Sequence, residues 1–246
     1  MYKRQTSTRA FNLVSGIGFS REGYPVNSLF SYDFRGLNED GVPTFINEAG
    51  VLTSTDINFQ ETERFDNLVY SGPSEPTDVG SFGNIFQYKG LRLNVFITYS
   101  FGNVVRLDPV FSSIYNDLDA MPREFRNRWM TPGDERYTDV PAIVSSRQVR
   151  NDSKLSYAYN AYNYSTARIA KGDFIRMKEI SLTYDFPKRW IKKLRMSNLA
   201  LKIQATNLFL IYADKKLNGQ DPEFFNSGGV ATPVPKQFTL TLKIGL

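Results

Sequence analysis

An all-β, antiparallel architecture is what this sequence predicts, and three observations predict it. Apolar and polar residues alternate with period two over several stretches of strand length. Aromatic residues make up 14% of the chain, with 19 Phe and 14 Tyr against 2 Trp, a bias that suits the pleated, half-buried surface of strands. Connections come in two sizes, tight turns and long loops. Alternation by itself fits two folds. A soluble β-sandwich alternates because each sheet has an inner face. A membrane-spanning barrel wall alternates because one face meets lipid and the other a wet lumen.

Residues 11–19 are a weak strand candidate. Phe30, Tyr32 and Phe34 alternate with Ser31, Asp33 and Arg35. Residues 82–88 form a further strand, closed by a tight hairpin at Lys89-Gly90, where Gly90 is free to take positive φ. The next strand, Leu91–Phe101, lines one face with Leu91, Leu93, Val95, Ile97 and Tyr99 and the other with Arg92, Asn94, Thr98 and Ser100, Phe96 being the exception. In residues 174–186 the apolar face changes midway, from Ile175 and Met177 to Ile180, Leu182 and Tyr184, a switch that either a β-bulge or a depth-dependent environment would cause. Residues 187–197 make a short basic connection of one or two helical turns. Leu199, Leu201, Ile203 and Ala205 then alternate with Ala200, Lys202, Gln204 and Thr206. Phe238, Leu240, Leu242, Ile244 and Leu246 alternate with Thr239, Thr241, Lys243 and Gly245.

These strands have the nine to eleven residues, roughly, that a tilted membrane crossing needs. Three connections are long, residues 37–81, 102–171 and 211–236, and loops of that length in compact domains are usually functional. Short turns on one side and long loops on the other match an outer-membrane barrel. So do the small Thr, Ser, Gln and Asn residues of the polar faces and a last strand that runs to Leu246.

Composition removes most enzyme chemistry. The chain has no Cys and no His, hence no disulfide, thiolate nucleophile, catalytic triad or His-ligated zinc. The longest apolar run, residues 208–213, is far short of a transmembrane helix. Net charge is +5, but the basic residues are scattered apart from residues 188–195, and no nucleic-acid partner is expected. No apolar segment of a signal peptide follows residues 1–5. Asp117, Asp119, Asp134, Glu135 and Asp139 lack the spacing of a calcium loop and read as solvated acids. Glu22, Glu61 and Glu63 offer no defined acid/base pair, and Gly16 and Gly18 precede no helix pattern that would hold a nucleotide. Neither a metal nor a cofactor is expected.

A set of strings, in order along nearly the whole chain, resembles the C-terminal end of SusC/RagA-type TonB-dependent outer-membrane transporters of Bacteroidetes. Residues 172–188, GDFIRMKEISLTYDFPK, are similar to that family's third-last strand and the turn after it. Residues 197–212, SNLALKIQATNLFLIY, resemble the next strand, with its recurrent Asn207-Leu208-Phe209. Asp221-Pro222-Glu223, Gly228-Gly229 and residues 233–238, including Pro235 and Phe238, resemble the last long loop and the start of the final strand. Upstream, Gly23-Tyr24-Pro25-Val26, residues 32–37, Gly72 with Pro76, Tyr88-Lys89-Gly90, and Arg128-Trp129 through Pro132-Gly133-Asp134 fit the same pattern. The terminal Leu246 departs from it, an aromatic being more usual.

The resemblance implies an antiparallel transmembrane β-barrel segment: a partial, unclosed, curved sheet of roughly seven to nine strands with long extracellular loops. It implies that residues 1–246 are the C-terminal part of a transporter in the bacterial outer membrane, without its plug domain and N-terminal barrel strands. The cargo would be oligosaccharides or peptides, the partners outer-membrane lipid and a SusD-like surface lipoprotein, with TonB reached only through the absent N-terminal part. The final strand would form an open edge. No bond chemistry is expected; a secreted or surface β-sandwich that binds carbohydrate is the alternative, and a two-carboxylate glycosidase a more distant one. Tyr115, Trp129, Tyr137, Tyr159 and Tyr162 are candidates to stack on substrate from the loops, unless they form a girdle or pack the loops on themselves. Trp190, Lys192 and Lys193 fit either the inner membrane interface, with Trp190 at headgroup depth, or a plain solvated turn.

Overall fold

The computed structural model describes residues 13–14, 21–57, 67–110, 123–193, 195–225 and 235–245. Twelve strands lie among them: β1 Ser28–Tyr32, β2 Phe34–Leu37, β3 Pro43–Ile46, β4 Leu52–Thr53, β5 Leu68–Pro73, β6 Asp78–Tyr88, β7 Leu91–Phe101, β8 Val104–Arg106, β9 Ile169–Lys171, β10 Phe174–Asp185, β11 Asn198–Ala213 and β12 Gln237–Gly245. The α-helices are α1 Ser146–Asn151, α2 Lys154–Asn163 and α3 Lys188–Lys193. The chain divides into two compact units. One comprises residues 1–75 and 103–170, the other residues 76–102 and 171–246.

The first unit is a set of short strands and helices around its own core. β1 pairs with β5, and β2, β3 and β4 form a small meander. The β2–β3 turn is built by Asn38, whose side-chain oxygen accepts from the amides of Asp40 and Val42. Helix α1 opens with a capping box: Ser145 and Gln148 satisfy each other's backbone amides. Phe30, Tyr32, Phe45, Leu68, Val110 and Phe125 fill the core together with Ala158, Ala161 and Tyr162 of α2. The alternation of Phe30, Tyr32 and Phe34 therefore serves a small packed unit and not a long wall strand. The strand candidate at residues 11–19 lies mostly outside the described residues; Leu13 and Val14, which are described, are helical and buried.

The second unit is one antiparallel sheet in the order β12-β11-β10-β7-β6. β12 and β6 are its edges among the described residues, so the open edge expected at the final strand is present. The hairpin at Lys89-Gly90 has φ of 44° and 84° at its two residues, the doubly positive pair that matches strand twist. Tyr88 faces Leu91 across it.

Bulges keep the apolar residues on one face. Between Met177 and Glu179 the register of β10 slips by one, with Met177 opposite Ile97 and Glu179 opposite Phe96. Lys178 is the extra residue. Its insertion lets Ile175 and Met177 share a face with Ile180, Leu182 and Tyr184 despite the change in parity, so of the two causes the sequence leaves open the bulge is the one present. β11 answers with its own irregularity: Thr206 faces Glu179 and Phe209 faces Met177. Asn207 sits in this step with φ 53°. Left-handed backbone is costly for L-residues, and Asn is among the few that tolerate it. That accounts physically for Asn in the Asn207-Leu208-Phe209 string.

Replacing Asn207 by Val should therefore destabilise the sheet by about 1–2 kcal/mol, while N207G should be tolerated. Guanidinium unfolding of the full-length protein in bilayers checks this; equal midpoints for N207V and N207G would remove the backbone explanation.

Candidate membrane-facing wall and aromatic loop surface

The register fixes the two faces of the sheet. On one, Phe86, Leu93, Leu182, Ile203 and Leu240 form a continuous cross-strand row. Tyr88, Leu91, Tyr184, Leu201 and Leu242 form the next row toward the hairpin turn. Phe82, Ile97, Met177 and Phe209 continue the face in the other direction. The opposite face carries Arg92, Asn94 and Thr98 of β7, Thr183, Ser181 and Glu179 of β10, and Lys202, Gln204 and Thr239 of β11 and β12.

Among the described residues the apolar face is open. Phe238, Leu240, Leu242 and Ile244 are 74%, 71%, 58% and 48% exposed, and Phe82, Phe86 and Tyr88 are exposed as well. A sandwich would bury these side chains against a second layer. A surface this apolar and continuous is far outside what a soluble protein leaves in water.

Aromatic residues gather at both ends of the face. At the hairpin end, Tyr184 packs edge-on against Phe186 at 4.9 Å, and Phe186 lies 6.1 Å from Trp190 of α3. At the far end Tyr99 packs against Phe101 at 5.6 Å, and Tyr212 lies opposite Ile175, itself opposite Tyr99. The eleven residues of β7 extend about 34 Å, or about 26 Å of vertical rise at the roughly 40° tilt usual in barrels. That equals the height of an outer-membrane apolar band, about 25 Å. Glycines leave room for rings between strands: a Cβ on Gly80 would meet the Tyr99 ring, and one on Gly83 the Phe96 ring.

The polar face carries an ion cluster. Arg176 of β10 is bonded to Asp221 at 2.5 Å, with both side chains buried, and lies 3.1 Å from Glu223. Asp221 also accepts from the Glu223 amide, capping the short turn that begins at Pro222. The loop string Asp221-Pro222-Glu223 is thereby tied to the sheet. Sequence reading singled out the string but not its partner; a long cation among small residues on the polar face of β10 was the available signal. Asn94 also donates to Glu179 at 3.2 Å on this face. Among the described residues no group of three or more acidic ligands could hold a metal ion.

The loop aromatics divide by environment. Tyr159 and Tyr162 are each 2% exposed. Tyr159 donates its hydroxyl to the Ala142 carbonyl at 2.7 Å, and Tyr162 packs edge-on against Phe34. These two rings are therefore core residues, which corrects the expectation that they stack on a substrate. Trp129 lies against Gly41, whose α-carbon has no room for a side chain there, and donates its indole N–H to Glu135. Tyr137 is open, at 89% exposure. Tyr115 lies outside the described residues. Asp134 is held below the usual carboxylate range, first by the amides of Met130 and Thr131, and Glu135 likewise by backbone amides including that of Gly133. Burial pushes the Tyr162 hydroxyl up to about 12 and the Arg106 guanidinium down to about 10. Buried Arg168 is neutralised by Glu124 at 2.6 Å. These acids and cations organise the unit itself.

No protein-family model matches the chain. It is 28% identical over 167 residues to TonB-dependent receptor P39 of Formosa agariphila, covering 63% of this chain and 14% of that protein. It is 24% identical over 211 residues to TonB-dependent receptor P3 of the same organism, covering 82% of this chain and 19% of that one. The chain thus spans less than a fifth of the length of these curated relatives. Among solved structures it is similar to the RagAB peptide importer in the open-open state, with a TM-score of 0.63 and 21% identity, over 91% of this chain and 23% of that one. The RagAB peptide transporter gives a TM-score of 0.65 at 22% identity, with the same coverage. The fold is thus similar to part of a TonB-dependent transporter barrel, and the curated relatives are TonB-dependent receptors. The likeness in fold to RagAB agrees with the resemblance of the ordered strings to the SusC/RagA type.

Removing the Arg176 guanidinium leaves Asp221 charged and buried, which should cost the loop about 3–5 kcal/mol. R176M should lower amide-exchange protection across residues 214–224 by two orders of magnitude or more, about 1.4 kcal/mol for each tenfold step. The double variant R176M/D221N should recover most of it. Unchanged protection in R176M would show that the ion cluster does not hold the loop.

Proposed function

We propose that this chain is the C-terminal part of the barrel wall of a TonB-dependent importer in the bacterial outer membrane. One observation carries the proposal: the continuous, uncovered apolar face of the five-stranded sheet, bordered by aromatics at both ends. In lipid that face is satisfied, and the paired backbone beneath it leaves no polar group in hydrocarbon except at the edges. The edges are then completed by neighbouring strands of the full barrel. The polar face lines the lumen. The chain does no bond chemistry in this reading; energy reaches the barrel through TonB and a plug domain.

The cargo is an oligosaccharide or a peptide, taken up beneath a SusD-like surface lipoprotein. RagAB, whose fold is similar, is by name a peptide importer. Of the aromatic candidates, Tyr137 has the ring open for stacking, with Trp129 beside it in the same turn region and Tyr115 a further candidate. The long connections of the sheet all leave from the end opposite Lys89-Gly90, which supports reading that end as the extracellular one.

Lipid contact gives the two faces opposite tolerances. L240R, on the apolar face, should destabilise the barrel by about 2–4 kcal/mol, whereas T241R, one residue on and facing the lumen, should be close to neutral. Heat-modifiable migration of the full-length protein from outer membranes reads the folded fraction of each. Equal loss in both variants, or recovery of the wild type in the soluble fraction, would reject a lipid-facing wall.

A further inference from the structure

We infer that the connection between β10 and β11 is a docking surface for anionic phospholipid of the inner leaflet, bound through its phosphate. The inference rests on the membrane reading above and goes beyond it by naming the ligand chemistry. Lys188, Arg189, Lys192, Lys193 and Arg195 occupy this connection, and all five are exposed. No acidic residue lies between Pro187 and Asn198. The chain has 30 basic and 25 acidic residues, so these five equal its whole cationic excess. The charge is therefore concentrated here and not spread over the surface.

The local fold presents these cations and keeps the segment in place. Ile191 is the buried anchor of α3. Arg195 takes φ 54° just past the helix, and its amide bonds the Lys192 carbonyl. The Met196 amide returns to the Ile191 carbonyl, and the Ser197 amide to that of Gly245. None of the five cations is in an ion pair among the described residues. The nearby acid, Asp185, faces Arg92 at 3.9 Å.

Depth follows from the rings. Tyr184, Phe186 and Trp190 step from the apolar face of β10 onto the helix. Trp190 is half exposed, and tryptophan favours the boundary between headgroups and acyl chains. With its ring at that boundary, the flanking ammonium and guanidinium groups reach phosphate level, where a negative surface attracts each of them. Lys89, at the neighbouring turn, lies over the Tyr88 ring at 5.0 Å and adds to the same end. A zwitterionic bilayer offers this cluster no net charge, so the fit is to anionic lipid.

The test uses the full-length transporter in nanodiscs of phosphatidylethanolamine with a minority of phosphatidylglycerol, with retained lipids read by native mass spectrometry. Wild type should retain phosphatidylglycerol at least about fivefold above its bulk share, and added salt should reduce this enrichment. The variant K188Q/R189Q/K192Q/K193Q/R195Q should lose it, and K188R/K192R/K193R should keep it. Heat-modifiable migration shows that each variant has folded, and the salt titration tests the wild type alone. Bulk-level lipid in the wild type, equal enrichment in the Gln variant, displacement by inorganic phosphate beyond that caused by sodium chloride at equal ionic strength, or capture of an acidic periplasmic protein in place of lipid would each overturn the inference. Failure of the wild type to fractionate with outer membranes would instead overturn the membrane reading itself.

Discussion

A strand that crosses hydrocarbon must pair its backbone on both sides and keep one parity of side chains toward lipid. The first demand forbids gaps in the hydrogen-bond ladder. The second forbids a register slip of one residue, because such a slip turns every following side chain to the other face. The sheet of the second unit meets both demands through matched irregularities. Lys178 is inserted into β10 at the point where the apolar residues change from odd to even. β11 absorbs the step at Asn207 and Leu208. Without that compensation Ile175 and Met177 would turn to the polar face, and the apolar face would stop halfway along the sheet.

The polar side is organised by charge. Arg176 and Asp221 are buried together, an arrangement that contributes little net stability but penalises the loss of either partner. The pair therefore acts more as a register pin for the β11–β12 loop than as a source of stability. The same reasoning applies in the first unit, where Arg168 and Glu124 are paired beside the aromatic core. Hydrophobic packing there consumes rings that a sequence reader would offer to a ligand.

Much of the wall was legible because its signal is periodic. The alternations in β7, β11 and β12, the Lys89-Gly90 hairpin, the switch of face in β10 and the helical turn after Pro187 all follow from local spacing and turn chemistry. The first unit was less legible. Its strands are two to six residues long, too short for periodicity to declare a face. Its helices α1 and α2 sit within a connection that reads as loop, since α2 carries Ser, two Asn and three Tyr and no clean apolar stripe. Tyr159 and Tyr162 are one helical turn apart and share the buried side of α2, a spacing that marks a core-facing pair. The Arg176–Asp221 pair joins residues 45 positions apart, and no local pattern signals such a contact.

The central claim is that Phe238, Leu240, Leu242 and Ile244 face acyl chains while Thr239, Thr241 and Lys243 face water. Nitroxide scanning of positions 238–244 in the full-length protein, reconstituted in bilayers, tests it most directly. Collision rates with oxygen, which partitions into lipid, should peak at the even positions, and rates with a water-soluble nickel chelate at the odd ones. Uniform accessibility along the strand, or the opposite alternation, would contradict the account.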